Sequence, residues 1–595
     1  MGGVEFKRNS VVIGENVGKI YAVIRYPTKV DIGWSSKPCN IPSTIVVQSF
    51  TPGDNTALME AVSRNIIQNR GVAESTRDPL TRQRAEKGVY DGEKLIMQID
   101  QNGETVGLMS TIIMATSKDE SVFAKVCRKV EGVFAAIRCK IRGMANLQKD
   151  AFRAIAPYYG TDEYIDNITQ YLVPLSTFVG GFPFSASGLN DGTGYYFAKD
   201  SNGGLIILDP WKRGGDRTNS NWVIMGVAGV GKSTTTKHLI INEYAKGTKI
   251  LIIDPESEYK ELCRSLGGDW INCGGGVGGK INPLQVRPMP EDDEIEDADE
   301  KPEFKLNTAG MGALALHMKT LEIFFSLYIP SLTDIQKALL KEVLEIMYAN
   351  FGITWDTDVT NLNNKQFPIF SDLYDLLLKK SAEKEQSRRD NEVNNYEILS
   401  CLIRDIAVGA DSFIWNGHTD VEPHSRIICL DTSQLQNTSD QVKRAQYFNV
   451  LSWCWGEMSR DRTERVLLIG DEAYLMIDPN VPQALVFARN VEKRARKYEA
   501  AIAFIFHSAV DVLDPSIKMY GQALLDIPNF KILMGTDGVN HKELTALYNL
   551  TEAEQDVLAA KKRVAAIFAV GSKRMYVNFE IPEYEKEVMG TRGGR

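Results

Sequence analysis

A chain of 595 residues is too long for one hydrophobic core and implies about three to four domains. Its 43% apolar and 24% charged residues are those of an ordinary folded protein, and a net charge of −9 excludes a surface coated in basic groups for nucleic acid, though not a local basic pore. The eight cysteines lie far apart with no C-x-x-C, which fits a reduced, cytosolic chain without a zinc site. Met1-Gly-Gly-Val-Glu-Phe-Lys7 carries no apolar signal region, Phe6 stands where myristoylation prefers Ser or Thr, and no run reaches the ~18 apolar residues that span a bilayer.

Residues 1 to about 190 mix strand-like runs (Ile20–Ile24, Thr44–Gln48, Lys94–Gln98) with helical patterns. Val122, Val126, Val130, Val133, Ile137 and Ile141 fall on one face of an expected helix over 122–141. The expectation is an α+β N-terminal domain over 1–185, with no chemistry visible in its sequence. The glycine-rich stretch Gly188–Gly194 and the turn Lys199–Gly204 mark a boundary leading into the next domain.

There Trp222-Val-Ile-Met225 reads as a buried strand, followed by Gly226-Val-Ala-Gly-Val-Gly-Lys-Ser233 and a helical pattern from Thr234 to Tyr244. Strand, glycine loop and helix start aim backbone N–H groups and a helix N-terminus at one point, which is a phosphate site. Gly226, Gly229, Gly231, Lys232, Ser233 and Thr234 are therefore the candidate nucleotide-binding residues. Lys232 would reach the β- and γ-phosphates, and Ser233 would ligate Mg²⁺. A chance glycine turn is the alternative, and the filled pattern in the right context disfavours it.

Thr248–Asp254 is a second buried strand, ending in Asp254-Pro-Glu-Ser-Glu-Tyr259, where Glu256 is a candidate sensor or trans-acting residue. From 285 to 424 the pattern is mostly helical (Leu314–Leu327, Leu332–Tyr348, Ser371–Lys380), preceded by an acidic run between Pro290 and Pro302 that reads as a solvated loop. The charged stretch from Lys379 to Asn391 reads as an exposed helix end. Strands return at Ser425–Leu430, Arg465–Gly470, Ala500–Phe506 and Phe530–Met534. Strands separated by helices imply a parallel, doubly wound sheet. The expected architecture is α/β: a RecA-like P-loop motor domain over 186–284 and 425–595, with an inserted all-α subdomain over 285–424.

Val466–Glu472 is an apolar strand ending in two carboxylates, the Walker B arrangement. Asp471 would hold the Mg²⁺ shell opposite Ser233, and Glu472 would polarise the attacking water, so Lys232 and Glu472 are the candidate catalytic pair. A Glu beside the metal Asp, with strands between the two motifs, points to the RecA-like branch of P-loop proteins. Arg489, Arg494, Arg496 and Lys497 follow on an expected helix over 482–498 and could include a residue acting on a neighbouring subunit; an ordinary solvated face is the alternative. His507 ends the next strand, where a γ-phosphate sensor would stand, although a histidine there is more often structural. Arg574 in Gly571-Ser-Lys-Arg574, read as the end of a late strand, is a further trans candidate.

The ordered motifs resemble the VirB-type (TraC/TraE-like) ATPases of type IV secretion and conjugation, especially those of Gram-positive conjugative elements. The resemblance runs through Gly181–Asp209, the phosphate loop, Asp254–Tyr259, Leu266-Gly-Gly268 and Ile281-Asn-Pro-Leu284. It continues with Phe413–Gly417, Asp471-Glu-Ala-Tyr474, Arg496-Lys-Tyr498 and Ala523–Met534, covering about residues 180 to 585. The family usually shows Thr-Gln where this chain has Phe506-His507, and Trp where Tyr474 stands, and its N-terminal domain is often longer. The resemblance implies an ATP- and Mg²⁺-dependent ATPase working as a homo-oligomer, a hexamer, with membrane-embedded secretion subunits as partners. It implies a cytoplasmic position, peripheral at the inner face of the membrane and without insertion into it, and it leaves open whether DNA or a relaxase–DNA complex is touched. The alternative reading is a DNA-translocating hexameric ATPase of the FtsK, HerA or coupling-protein kind, which shares the core motifs.

Overall fold

The computed structural model describes residues 3–27, 29–156, 163–184, 188–276, 278–287, 312–386, 390–515 and 517–590. The acidic run at 290–302 lies outside the described residues. The chain divides into two compact units, one of Met1–Gly188 with Asn202–Gly204 and the other of Leu189–Ser201 with Leu205–Arg595.

The first unit carries β1 (Val4–Phe6), β2 (Val11–Ile13), β3 (Asn16–Arg25), β4 (Thr44–Pro52), β5 (Val106–Ser117), β6 (Lys140–Gly143) and β7 (Tyr171–Pro174). They form one antiparallel sheet in the order β1-β2-β3-β5-β4, with β6 added to β3 and β7 to β5. β5 is apolar at consecutive positions because both faces are covered. Ile112 and Met114 pack with Ala151, Ile155 and Ile165, while Ile113 and Ala115 pack with Val126, Val130 and Phe134.

Two expectations fail here. Lys94–Gln98 is no strand but part of helix Pro79–Asn102. Asp78 caps that helix by accepting from Thr81 N at 3.0 Å, and Pro79 opens it, so a strong start overrides a short apolar run. The helix packs against Asn55–Ser75, and a Cβ at Gly92 would stand only 2.7 Å from Ile66 Cγ1. The helix expected over 122–141 stops at Ala136, because Arg138 turns the chain with φ at 60° and Ile141 joins β6.

The second unit contains β8 (Leu189–Asn190), β9 (Tyr195–Asp200), β10 (Leu205–Leu208), β11 (Trp222–Met225), β12 (Lys249–Asp254) and β13 (Asp269–Asn272). Beyond the helical block come β14 (Ile427–Asp431), β15 (Val466–Gly470), β16 (Ala500–Phe506), β17 (Phe530–Leu533), β18 (Ala565–Val570) and β19 (Lys573–Asn578). The sheet order is β13-β14-β12-β15-β16-β11-β17-β18-β19-β9-β10-β8. From β13 to β17 every pairing is parallel, and these strands are buried on both faces between two apolar layers. This is the RecA-like P-loop fold. The sheet then departs from the all-parallel expectation, since β18, β19, β9 and β10 are antiparallel. Lys199–Gly204 is thus the turn of a hairpin, and Gly571-Ser572 is another, which places Arg574 inside β19 rather than at a strand end.

Between β13 and β14 lie helices Ala313–Tyr328, Asp334–Asn350, Phe370–Gln386, Asp390–Ala407 and Ser412–Trp415. Their shared core includes Phe324, Leu344, Phe370, Leu399 and Trp415 and continues into Ala445 and Phe448 of helix Asp440–Met458. The motif residues around this block are joints, not chemistry. Asn282 Nδ2 donates to Pro368 O at 2.8 Å, Asn416 Nδ2 to Ala407 O at 2.7 Å, and Trp415 Nε1 to Gln446 Oε1 at 2.5 Å.

Candidate nucleotide-binding site

The glycine loop leaves β11 at Met225 and ends where helix Lys232–Ala245 begins. Gly226 has no room for a side chain: a Cβ there would lie 2.8 Å from Met534 Cβ, next to the end of β17. Gly229 and Gly231 adopt φ of 81° and 101°, where glycine alone is unstrained. Val227 N donates to Gly535 O at 3.0 Å and Val564 N to Val230 O at 2.8 Å, so two neighbouring segments brace the loop. Gly231 occupies the N-cap without a side-chain bond, which leaves the first-turn N–H groups of Lys232, Ser233 and Thr234 directed out of the helix start.

Lys232 is only 6% exposed. Its ammonium donates to Gly226 O at 2.8 Å and Val227 O at 3.2 Å, folding the side chain back over the loop. The third contact is to His507 Nδ1 at 2.8 Å. Burial holds the Lys232 pKa below its ordinary value, against the opposing pull of Asp471, Glu472, Glu258 and Glu256.

Asp471 and Glu472 follow β15, and strand order explains why they face the loop. β16 lies between β15 and β11, with Gly470 opposite Phe504 and Met225 opposite Phe506. His507, the next residue after β16, therefore stands between Glu472 and Lys232, with its Nε2 hydrogen-bonded to Glu472 Oε1. Glu472 sits in the left-handed region at φ 50°, a conformation that costs about 1–3 kcal/mol for a residue with a side chain. Its N–H donates to Asp471 Oδ1 at 2.9 Å. Buried Asp471 is pushed well above the usual carboxylate range, first by desolvation and then by the negative charges of Glu472, Glu258 and Asp254.

Glu256 belongs to the same cluster: burial, then Glu472 and Glu258, raise its pKa. Sequence reasoning passed over Glu258 and Asp254. Asp254, fully buried at the end of β12, accepts from Glu258 N at 3.0 Å and Tyr259 N at 2.9 Å, and so shapes the loop that carries Glu256 and Glu258. Glu258 Oε2 is buried without a hydrogen-bond partner beside Asp471, and Thr235 Oγ1 in the first turn of the loop helix is likewise orphaned. Buried carboxylates that repel one another favour a positive charge beside them, although among the described residues no three carboxylate, histidine or cysteine groups converge as a metal site by themselves. Ser233 opens the loop helix and Asp471 follows β15.

The other cations are elsewhere. Arg496 is exposed in the short turn Arg496–Tyr498 that precedes β16, and Arg494 lies in the last turn of helix Gln483–Ala495. Both are at the amino end of β16, about 20 Å of strand away from the loop end. Arg489 Nη1 donates to its neighbour Asn490 Oδ1 at 3.2 Å. Arg574 is held by Glu554 at 3.1 Å and donates to Tyr548 O at 2.7 Å, closing the end of helix Gly538–Tyr548. Behind the loop helix, His238 Nδ1 meets Glu585 Oε2 at 2.5 Å in full burial, and Lys237 Nζ donates to Met589 O at 3.1 Å. The last helix, Glu583–Met589, is thereby fastened to the helix that carries Ser233.

Residues 205–305 match the family described as the TraG P-loop domain. The structure of VirB4 of Thermoanaerobacter pseudethanolicus is 46% identical, covers 67% of this chain and all of that one, and superposes with a TM-score of 0.61. The chain belongs to the VirB4 family. An uncharacterized pXO2 protein of Bacillus anthracis is 24% identical over 636 residues, spanning 100% of this chain and 96% of that protein. The bacterial conjugative coupling protein TrwB is 12% identical, with 64% of this chain and 88% of that chain covered and a TM-score of 0.40. Among the described residues no helix is long and apolar enough to cross a membrane. As a VirB4-family P-loop protein, the chain is an NTPase by fold.

Proposed function

We propose that this chain is the Mg²⁺-dependent ATPase that powers a type IV secretion or conjugative transfer machine. One observation carries the reading: the glycine loop with buried Lys232 faces Asp471 and Glu472 across a single strand of one parallel sheet. Triphosphate lies against the N–H groups at the helix start, and Lys232 exchanges its loop carbonyl contacts for phosphate oxygens. Ser233 and Asp471 would hold Mg²⁺, which would supply positive charge against the charge developing on the phosphates. Glu472, the carboxylate furthest along the strand end, orients and deprotonates the attacking water.

We take the chain to work as a hexameric ring; in it Arg494 and Arg496, at the far end of the sheet from their own loop, are the cations that could reach a neighbouring copy's phosphate. The first unit is then the docking surface for membrane-embedded subunits; its helical hairpin leaves Ile67, Tyr90 and Met97 more than half exposed. The decisive test compares two variants with fluorescent ATP and a phosphate-release assay. Lys232→Ala should lose binding and turnover, while Glu472→Gln should keep binding and lose at least ~100-fold in turnover. Normal turnover by Glu472→Gln would remove the general base from this scheme.

A further inference from the structure

The imidazole of His507 touches both halves of the site at once, and the direction of its hydrogen bonds can be worked out. An ammonium only donates, so Nδ1 at 2.8 Å from Lys232 Nζ must be the acceptor. The ring proton is then on Nε2, where it is donated to the Glu472 carboxylate. With Gly226 O and Val227 O taking the other two N–H bonds, all three donors of Lys232 are satisfied within the protein. Glu472 is at the same time held in its left-handed conformation. Nothing else described in the structure bonds Lys232 and Glu472 together.

We propose that His507 is a lock on the empty site, a positioning residue that ties Lys232 to Glu472 until a γ-phosphate takes Lys232 away. The γ-phosphate oxygens compete for the Nζ hydrogen that Nδ1 accepts, because that N–H is the one aimed toward the Glu472 side of the loop. Once Lys232 leaves, Nδ1 is free to accept from another donor, and the ring still donates through Nε2 to steer the Glu472 carboxylate toward water. A β-phosphate draws on the N–H bonds that Lys232 gives to Gly226 O and Val227 O, so a diphosphate leaves the bond to Nδ1, and with it the lock, closed. The residue therefore makes the site distinguish a triphosphate from a diphosphate, and it links occupancy to the readiness of Glu472. This rests on the ATPase reading above and deepens it.

The test measures ATP and ADP affinity together with turnover in the full-length wild type, His507→Ala and His507→Gln. Loss of the lock removes a contact that ATP must displace and ADP need not. His507→Ala should shift the ATP-to-ADP affinity ratio about 10-fold toward ATP, the scale of one hydrogen bond to a charged group, while turnover falls at least ~10-fold. Glutamine offers an acceptor oxygen and a donor nitrogen on one planar group, so His507→Gln should restore both quantities to within about threefold. A purely structural histidine would leave the affinity ratio unmoved. The lock is refuted if His507→Ala keeps the wild-type ratio, or if His507→Gln is as impaired as His507→Ala. A wild type that neither binds nor hydrolyses ATP refutes instead the ATPase reading on which the lock rests.

Discussion

Two glycines of the phosphate loop should respond differently to the same added methyl. Gly231 has φ of 101°, and a Cβ there would stand 2.8 Å from Val564 Cγ1 and 3.2 Å from Val564 N. Gly229 has φ of 81° and would meet nothing within 4 Å. Each alanine costs about 1–2 kcal/mol for a backbone conformation that L residues avoid. Gly231→Ala adds a steric cost of about 1–3 kcal/mol, because Val564 cannot retreat easily. Val564 is itself in the left-handed region at φ 51° and is tied by its N–H to Val230 O. In nucleotide-free protein, Gly231→Ala should therefore be about 1–3 kcal/mol less stable than Gly229→Ala. Urea unfolding followed by tryptophan fluorescence would report it, since Trp222 stacks on Phe530 beside the loop's strand. Truncating the obstacle supplies the control: in the Val564→Ala background the gap between the two alanines should shrink by more than half. Equal losses at both glycines, or no relief from Val564→Ala, would refute the steric argument.

Asp254, raised to about 6 by burial from an ordinary value of 3.8, favours its neutral form in the folded protein. Its stabilising contribution is complete below about pH 4 and is lost as pH rises through about 6, a change of about 3 kcal/mol. Denaturant titrations from pH 4 to 7 should show Asp254→Asn without that decline, and a parallel pH dependence of both proteins would contradict it. Glu585→Ala removes the short contact to His238 Nδ1, which keeps only Asn242 Nδ2 at 3.3 Å, so the P-loop unit should lose about 1–3 kcal/mol in urea unfolding; no measurable loss would mean that the pair is not stabilising. Truncation should follow the sheet: a chain starting at Leu189 keeps β8 and should retain ATP binding while leaving the membrane fraction, and persistent sedimentation with membranes would overturn docking through the first unit.

Local sequence determined most of what builds the phosphate cradle. An apolar strand followed by G-x-x-x-x-G-K-S specifies strand, loop and helix start within a dozen residues, and Asp471-Glu472 after an apolar strand needs only its neighbours to be read. Short patterns were weaker where a local stop or cap outweighed them, as at Lys94–Gln98 and at Arg138. The antiparallel strands from β18 to β10 were not legible, because pairing across hundreds of residues leaves no periodic mark in the chain. Neither was the conjunction at His507. Its sequence distance from Lys232 is 275 residues and from Glu472 is 35, and only the order β15-β16-β11 places one imidazole between them. The same holds for Asp254, Glu258 and Glu585. Burial and partner charges are properties of packing, and so the electrostatics of this site were decided by the tertiary structure alone.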